Sequence, residues 1–156
     1  MIKVAEAVQS LEAYLRHQGL KFTQQRRLIT EVFFDQIHRE THPTVEDLYL
    51  RVREQDPGVG HATVYRTLRL LVESGLASPS RLGDDQVRYE PEIPGSHHDH
   101  LVCAECGAIL EFEDDRIEEL QEAAARRLGF KLVDHRMVLY GQPEQCPPDL
   151  CRRGQG

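Results

Sequence analysis

Four cysteines in two close pairs constrain this chain more than any other feature. Cys103-Ala-Glu-Cys106 and Cys146-Pro-Pro-Asp-Leu-Cys151 hold every thiol in the sequence. A Cys-x2-Cys knuckle sets two thiolates on one tight turn, and the second pair can close a tetrahedron around zinc from the other side. In a reducing compartment such spacing favours thiolate ligation over two disulfides or unrelated buried thiols. The expected ion is a structural Zn2+ held by Cys103, Cys106, Cys146 and Cys151, pinning the tail beyond Tyr140. A chain of 156 residues split into two small domains buries little core in each, so a metal staple and oligomerisation are both useful to it.

Directly before the knuckle stand His97-His98-Asp99-His100. In an extended strand successive side chains alternate faces, which groups His98 with His100 and His97 with Asp99. One tetrapeptide can therefore serve two sites. Imidazoles mixed with carboxylates suit a harder, more exchangeable divalent cation than four thiolates do. The complementary ligands must come from elsewhere: Glu90 or Glu92, Glu111, Glu118, His135 and His42. The bland alternative is a solvated polar loop; the neighbouring knuckle, the nearby acids and His135 favour metal.

The net charge of −7 looks wrong for a nucleic-acid binder until it is divided. Residues 1–90 carry 12 Lys+Arg against 13 Asp+Glu, whereas residues 91–156 carry 7 against 13. Acid is concentrated around the histidine run, where carboxylates can serve cations. Any DNA binding by the first half must come from a local basic face and not from bulk charge. No apolar run approaches membrane-spanning length. Glu6 and Glu12 interrupt the hydrophobic positions near the N-terminus, so no signal pattern forms and a cytoplasmic protein is expected.

Val4, Val8, Leu11 and Leu15 recur at helical spacing over residues 3–18, and Gly19 ends that helix. Thr23 caps a second helix with Ile29, Val32 and Phe33 on its apolar face. Thr44-Val-Glu-Asp47 reads as a capping box with Asp in place of Glu, opening a third helix through Leu48 and Val52. After the break at Pro57-Gly58, a fourth helix runs from His61 to Ser74, closed by Gly75. Two short strands, about Ala77–Leu82 and Gln86–Tyr89, follow around a Gly83-Asp-Asp85 turn. Helices followed by a hairpin give the order of a winged helix-turn-helix. Pro91, Pro94 and Gly95 mark a hinge over residues 91–96. The remainder, 97–156, reads as strand (Leu101–Val102), knuckle, strand (Ala108–Phe112), helix (Asp114–Leu128) and strand (Phe130–Tyr140). Acids in the first turn of that helix and Arg126-Arg127 in its last suit the dipole. So small a sheet leaves an edge open to a second copy of the chain. The fold class is α+β, with a winged-helix domain over 1–90 and a small α/β dimerisation domain.

The fourth helix carries Thr63, Tyr65, Arg66 and Arg69. In a helix-turn-helix, residues at the start of the recognition helix meet base edges while basic neighbours hold phosphates. Tyr65 can pack on a thymine methyl and donate through its hydroxyl; Arg66 suits phosphate or guanine. The pattern alone also fits a core helix with a basic solvent face.

Taken together, Gly19-Leu-Lys-Phe-Thr-Gln-Gln-Arg26, His42-Pro-Thr-Val-Glu-Asp-Leu-Tyr49, Ala62-Thr-Val-Tyr-Arg-Thr-Leu68 and His97-His-Asp-His-Leu-Val-Cys-Ala-Glu-Cys-Gly107 resemble the ferric uptake regulator family of bacterial metal-dependent repressors over nearly the whole chain. The resemblance implies a homodimer, with a tetramer as the alternative, that binds an A·T-rich palindrome in double-stranded DNA when loaded with metal and represses uptake genes. It implies a regulatory hinge site at His42, Glu90, His98, His100 and Glu111. It implies an additional site at His97, Asp99, Glu118 and His135, and zinc at the four cysteines. Tyr65 and Arg66 match major-groove residues, and Lys21 a minor-groove contact. The segment Glu90–Ser96 is one residue longer than is usual in the family, which makes Glu92 the alternative to Glu90. The loop Gln142–Gln145 is longer too.

The regulatory ion implied first is Fe2+, with Mn2+ or Zn2+ as substitutes. Peroxide-sensing members usually show aspartates where Glu90 and Glu111 stand, and zinc-sensing members often use a cysteine that is not available here. Manganese-sensing members fit the same ligand types. No enzyme is expected. A zinc-dependent hydrolase is the rival class, because His98-x-His100 can hold a metal carrying an activated water. Against it, no His-Glu-x-x-His pattern and no nucleophile–base pair occur. A purely structural zinc-stapled module would need neither Tyr65-Arg66 nor the histidine run.

Overall fold

The computed structural model describes residues 4–35, 42–81, 86–92 and 98–142, and these divide into two compact units, one reaching to residue 92 and the other starting at residue 98. In the first unit the helical periodicity is realised closely. Helix α1 (Val4–His17) buries Ala7, Val8, Leu11 and Leu15, and α2 (Gln24–Asp35) buries Ile29, Val32, Phe33 and Phe34. The Thr23 hydroxyl accepts the Arg26 N–H at 3.3 Å, satisfying one of the donors that a helix start leaves open. Helix α3 (Val45–Gln55) opens on the expected capping box. The Thr44 hydroxyl accepts from Asp47 N–H, and the Asp47 carboxylate accepts from Thr44 N–H. Helix α4 (His61–Glu73) ends on a Schellman turn, with Gly75 at φ +74° and Leu76 N–H donating to the Leu71 carbonyl.

The four helices converge on one core. Leu11 and Leu15 meet Ile29, Phe33 and Phe34, with Leu48 and Val52 from α3 and Val64, Leu68 and Leu71 from α4. The Phe33 and Phe34 rings meet edge to face at 5.2 Å. Each such side chain contributes roughly 1.5–3 kcal/mol when fully buried. Strands β1 (Ala77–Ser80) and β2 (Arg88–Pro91) form an antiparallel wing in which Ala77 faces Pro91 and Ser80 faces Arg88. Pro91 therefore closes β2, where the sequence alone reads as the start of a hinge. At the end of an edge strand the missing N–H costs no ladder bond. The expected turn at Gly83–Asp85 and the hinge residues Pro94 and Gly95 lie outside the described residues.

The second unit is a three-stranded sheet in the order β4-β3-β5, with β3 (Asp99–Cys103) central. Strand β4 (Ile109–Phe112) runs antiparallel to it, and β5 (Val138–Gly141) parallel after the crossover through α5 (Asp115–Arg127). The expected strand over Phe130–Tyr140 is real only at its end. Residues 130–137 have strand composition, but β3 offers parallel partners only from His100 to Cys103, opposite Val138 to Gly141. Phe130 and Val133 instead stand 71% and 91% exposed. Among the described residues, only Val102, Cys103 and Ala108 are buried apolar side chains of this unit.

Candidate metal centres

Strand β3 is the scaffold of two ligand groups, because alternation sends neighbouring side chains to opposite faces. On one face His100 stands directly opposite Glu111 of β4 in the antiparallel register. His98 joins them: its Nε2 lies 3.9 Å from Glu111 Oε1, and its ring meets that of His100 edge to face at 5.1 Å. One donor atom from each of His98, His100 and Glu111 falls within 4.8 Å of the others. On the opposite face Asp99, only 2% exposed, gathers with Glu118 of α5 and His135. His135 Nε2 lies 3.3 Å from Glu118 Oε1 and 3.9 Å from Asp99 Oδ1. Two imidazoles with a carboxylate, and two carboxylates with an imidazole, are donor sets for borderline-to-hard divalent cations such as Fe2+, Mn2+ or Zn2+. Both groups are compact enough for one ion each. His97, expected beside Asp99, lies outside the described residues.

In the first unit His42, 4% exposed, directs Nε2 to Glu90 Oε2 at 3.1 Å. The other oxygen of Glu90 accepts from the Ser78 hydroxyl across the wing at 3.0 Å. Of the two alternatives left open by the sequence, the carboxylate of Glu90 meets His42 at 3.1 Å. The main-chain N–H of Glu92 donates to the Leu76 carbonyl, extending the wing ladder. Two supporting residues escaped the sequence reading. Ser78 steadies Glu90, and Arg88 donates from Nη1 to the main-chain carbonyl of His42 at 3.1 Å. Neither belongs to a ligand motif; the only signal was that Arg88 and Glu90 share a face of a two-residue-period strand.

The knuckle is a tight turn at the end of β3. Gly107 at φ +71° donates to the Cys103 carbonyl, and Cys103 N–H returns to the Ala108 carbonyl. Ala104 N–H donates to the carbonyl of Gly141 at 2.8 Å, so the end of β5 is fastened beside the knuckle. Cys103 is buried and Cys106 half-buried. Cys146 and Cys151 lie outside the described residues.

Helix α4 turns a solvent stripe outward. His61, Ala62, Tyr65, Arg66 and Arg69 are exposed at helical spacing while Val64, Thr67, Leu68 and Leu71 face the core. Tyr65 is 45% exposed. Lys21 is exposed before α2, its carbonyl accepting from the Arg26 guanidinium. A buried-face helix carrying an aromatic and an arginine on its open side is the form a recognition helix takes. No helix among the described residues is long and apolar enough to cross a membrane.

The chain belongs to the ferric uptake regulator family, whose family model matches residues 17–140. It is 40% identical over 140 residues to the ferric uptake regulation protein of Rhizobium leguminosarum bv. viciae, covering 90% of this chain and 96% of that one. Among solved structures it is similar to the Helicobacter pylori ferric uptake regulator, described as having three functional metal binding sites. That match has a TM-score of 0.81 at 27% identity, covering 92% of this chain and 93% of that one. A zinc-bound manganese uptake regulator matches with a TM-score of 0.65 at 42% identity, covering 86% of this chain and 98% of that one.

Proposed function

We propose that this protein is an iron-responsive repressor: a regulator, not an enzyme, that binds operator DNA as a homodimer when divalent metal occupies its regulatory site. The observation that carries the reading is the double use of β3. It presents His100, beside His98 just before the strand and Glu111 of β4, in one group, and Asp99 with Glu118 and His135 in the other. A structural module would need neither group. The regulatory ligands are His42, Glu90, His98, His100 and Glu111, and the additional site is His97, Asp99, Glu118 and His135. Support for the first set comes from each unit separately, since His42 meets Glu90 in one and His98, His100 and Glu111 gather in the other.

Cys103, Cys106, Cys146 and Cys151 hold Zn2+ permanently; the fastening of Gly141 beside the knuckle supports this, because the tail bearing the second pair leaves from there. The first unit, to about residue 90, binds an A·T-rich palindrome through Tyr65, Arg66 and Lys21. A hinge follows near residues 91–96, and the second unit dimerises. Dimerisation is supported by its small core and by the exposure of Leu120, Leu128, Phe130, Val133 and Tyr140, since an apolar surface of this kind marks an interaction site. The protein acts in the cytoplasm, where its operator is.

A manganese-responsive regulator is the second reading, favoured by the 42% identity to the manganese uptake regulator. Titrating DNA binding with Fe2+ under anaerobic conditions, and separately with Mn2+ and Zn2+, tests both. Activation by Fe2+ in the range of the cell's exchangeable iron supports the first reading, activation by Mn2+ alone the second. Metal-independent binding defeats both.

A further inference from the structure

Arg88 is a nearly buried cation, 8% exposed, in the wing strand β2. Its Nη1 donates to the His42 carbonyl at 3.1 Å. The backbone holds it there, because Thr44 and Arg88 pair as an antiparallel bridge and Tyr89 N–H donates to the Pro43 carbonyl at 2.9 Å. Residues 42–44 are thereby laid along β2. Two positions further on the same face, Glu90 meets the His42 imidazole at 3.1 Å. His42 is held at both ends, its ring by Glu90 and its carbonyl by Arg88.

Arg88 also acts on the start of α3. The Asp47 carboxylate accepts from Thr44 N–H at 2.8 Å and from the Thr44 hydroxyl at 2.7 Å. Burial works against its charge, but the Thr44 bonds and the nearby charges of Arg88 and Arg51 outweigh this and lower its pKa below the usual carboxylate value. Helix α3 in turn grips the first residue of α4. Glu46 Oε2 lies 3.4 Å from His61 Nε2, and the Tyr49 ring meets the His61 ring edge to face at 5.2 Å. Four residues beyond His61 stands Tyr65.

We infer that Arg88 is a positioning residue that couples occupancy of the His42–Glu90 pair to the setting of the α3 cap and the recognition helix. The inference rests on reading His42 and Glu90 as metal ligands. An ion claiming both side chains replaces the hydrogen bond between His42 Nε2 and Glu90 Oε2, and each side chain has to turn its donor atom from the other to the ion. With the carbonyl of His42 tied to Arg88, that adjustment passes into the backbone of residues 42–44 and the Thr44 cap. Without the tie, the adjustment stays local to His42. Contiguous contacts of this kind are a physical route for coupling, and the coupling itself has to be measured.

The test uses the full-length, zinc-loaded protein and its Arg88→Met and Arg88→Lys variants. Mn2+ binding is measured directly, and affinity for an A·T-rich palindrome bound by the parent is measured with and without Mn2+. The readout is the ratio of the two DNA affinities. Arg88→Met should bind Mn2+ and metal-free DNA much as the parent does, while the metal-induced gain falls about tenfold, within the usual range of allosteric coupling. Arg88→Lys, which keeps the charge and can still donate an N–H, should recover part of the gain. A parental ratio in Arg88→Met overturns the inference, as does an equal loss with and without metal, which marks a merely structural role. If Arg88→Met fails to fold, Arg88→Lys decides: a reduced ratio supports the inference and a parental one overturns it. A parent with no metal-induced gain would overturn the regulatory reading and this inference together.

Discussion

His42 Nε2 and Glu90 Oε2 lie 3.1 Å apart although 48 residues separate them in the chain. The pair exists because residues 42–44 pair with β2, and Ser78 holds the second oxygen of Glu90. A histidine and a carboxylate in this relation are two of the five ligands proposed for the regulatory site.

Replacing Glu90 or His98, a proposed ligand from each unit, should remove the signal and leave the fold. Glu90→Gln keeps the shape but is a poor cation ligand, and His98→Ala removes a ligand from the second unit. Both should lower the Mn2+- or Fe2+-induced gain in DNA affinity by about tenfold or more while zinc content stays at the parental level. Fluorescence anisotropy with metal analysis checks this. A parental metal response in both variants would place the sensory site elsewhere.

Cys103→Ser should cost the second unit its structure. Apparent zinc-binding free energies of roughly 10 kcal/mol or more are comparable to the whole stability of a small domain. Elemental analysis and analytical ultracentrifugation should find a zinc-free protein that is monomeric or partly unfolded. A zinc-free, folded dimer would defeat the zinc assignment.

Tyr65→Phe keeps the ring and loses the hydroxyl, so it should weaken DNA binding less than Tyr65→Ala. Arg66→Ala should weaken all sites alike if Arg66 grips phosphate, or cost about 1–3 kcal/mol at one position if it reads guanine. Binding should fall steeply with salt through counterion release. Lys21→Ala should matter most at A·T-rich sites, where the narrow minor groove concentrates negative potential. Footprinting and competition with scrambled DNA measure these effects, and equal affinity for both DNAs would refute the repressor reading.

The Thr44–Asp47 box gives a stability prediction with a definite pH sign. Thr44→Ala should cost about 1 kcal/mol, the usual worth of an N-cap. Because the folded pKa of Asp47 is depressed below 3.8, the unfolded chain binds the proton more readily. Its contribution is present at neutral pH and is lost as pH falls below about 4, through the folded value. The stability gap between parent and Asp47→Asn in urea unfolding should accordingly narrow over that acid range. A gap that stays constant to pH 3 would show that the charge of Asp47 contributes nothing.

Much of this molecule could be read locally. The 3.6-residue spacing of Val8, Leu11 and Leu15, the Thr44–Asp47 box and Gly75 at the end of α4 are short-range instructions, satisfied within one or two turns of chain. The alternation that separates His98 and His100 from Asp99 is equally local, since it follows from extended backbone alone. The knuckle spacing is set by one tight turn.

Other features depended on contacts between distant segments. Residues 130–137 have the composition of a strand, yet only Val138–Gly141 pair, because the length of β3 limits what can lie beside it. Glu90 meets His42 because residues 42–44 are laid along β2, a pairing of segments far apart in the chain. Arg88 shows no motif; it gains a role only when the wing folds its guanidinium against the His42 carbonyl. The sequence by itself determined the helices, the caps and the types of ligand, since these depend on residues a few positions apart. The tertiary structure alone decided which ligands meet and what holds them, because strand register is a property of two segments and is written in neither.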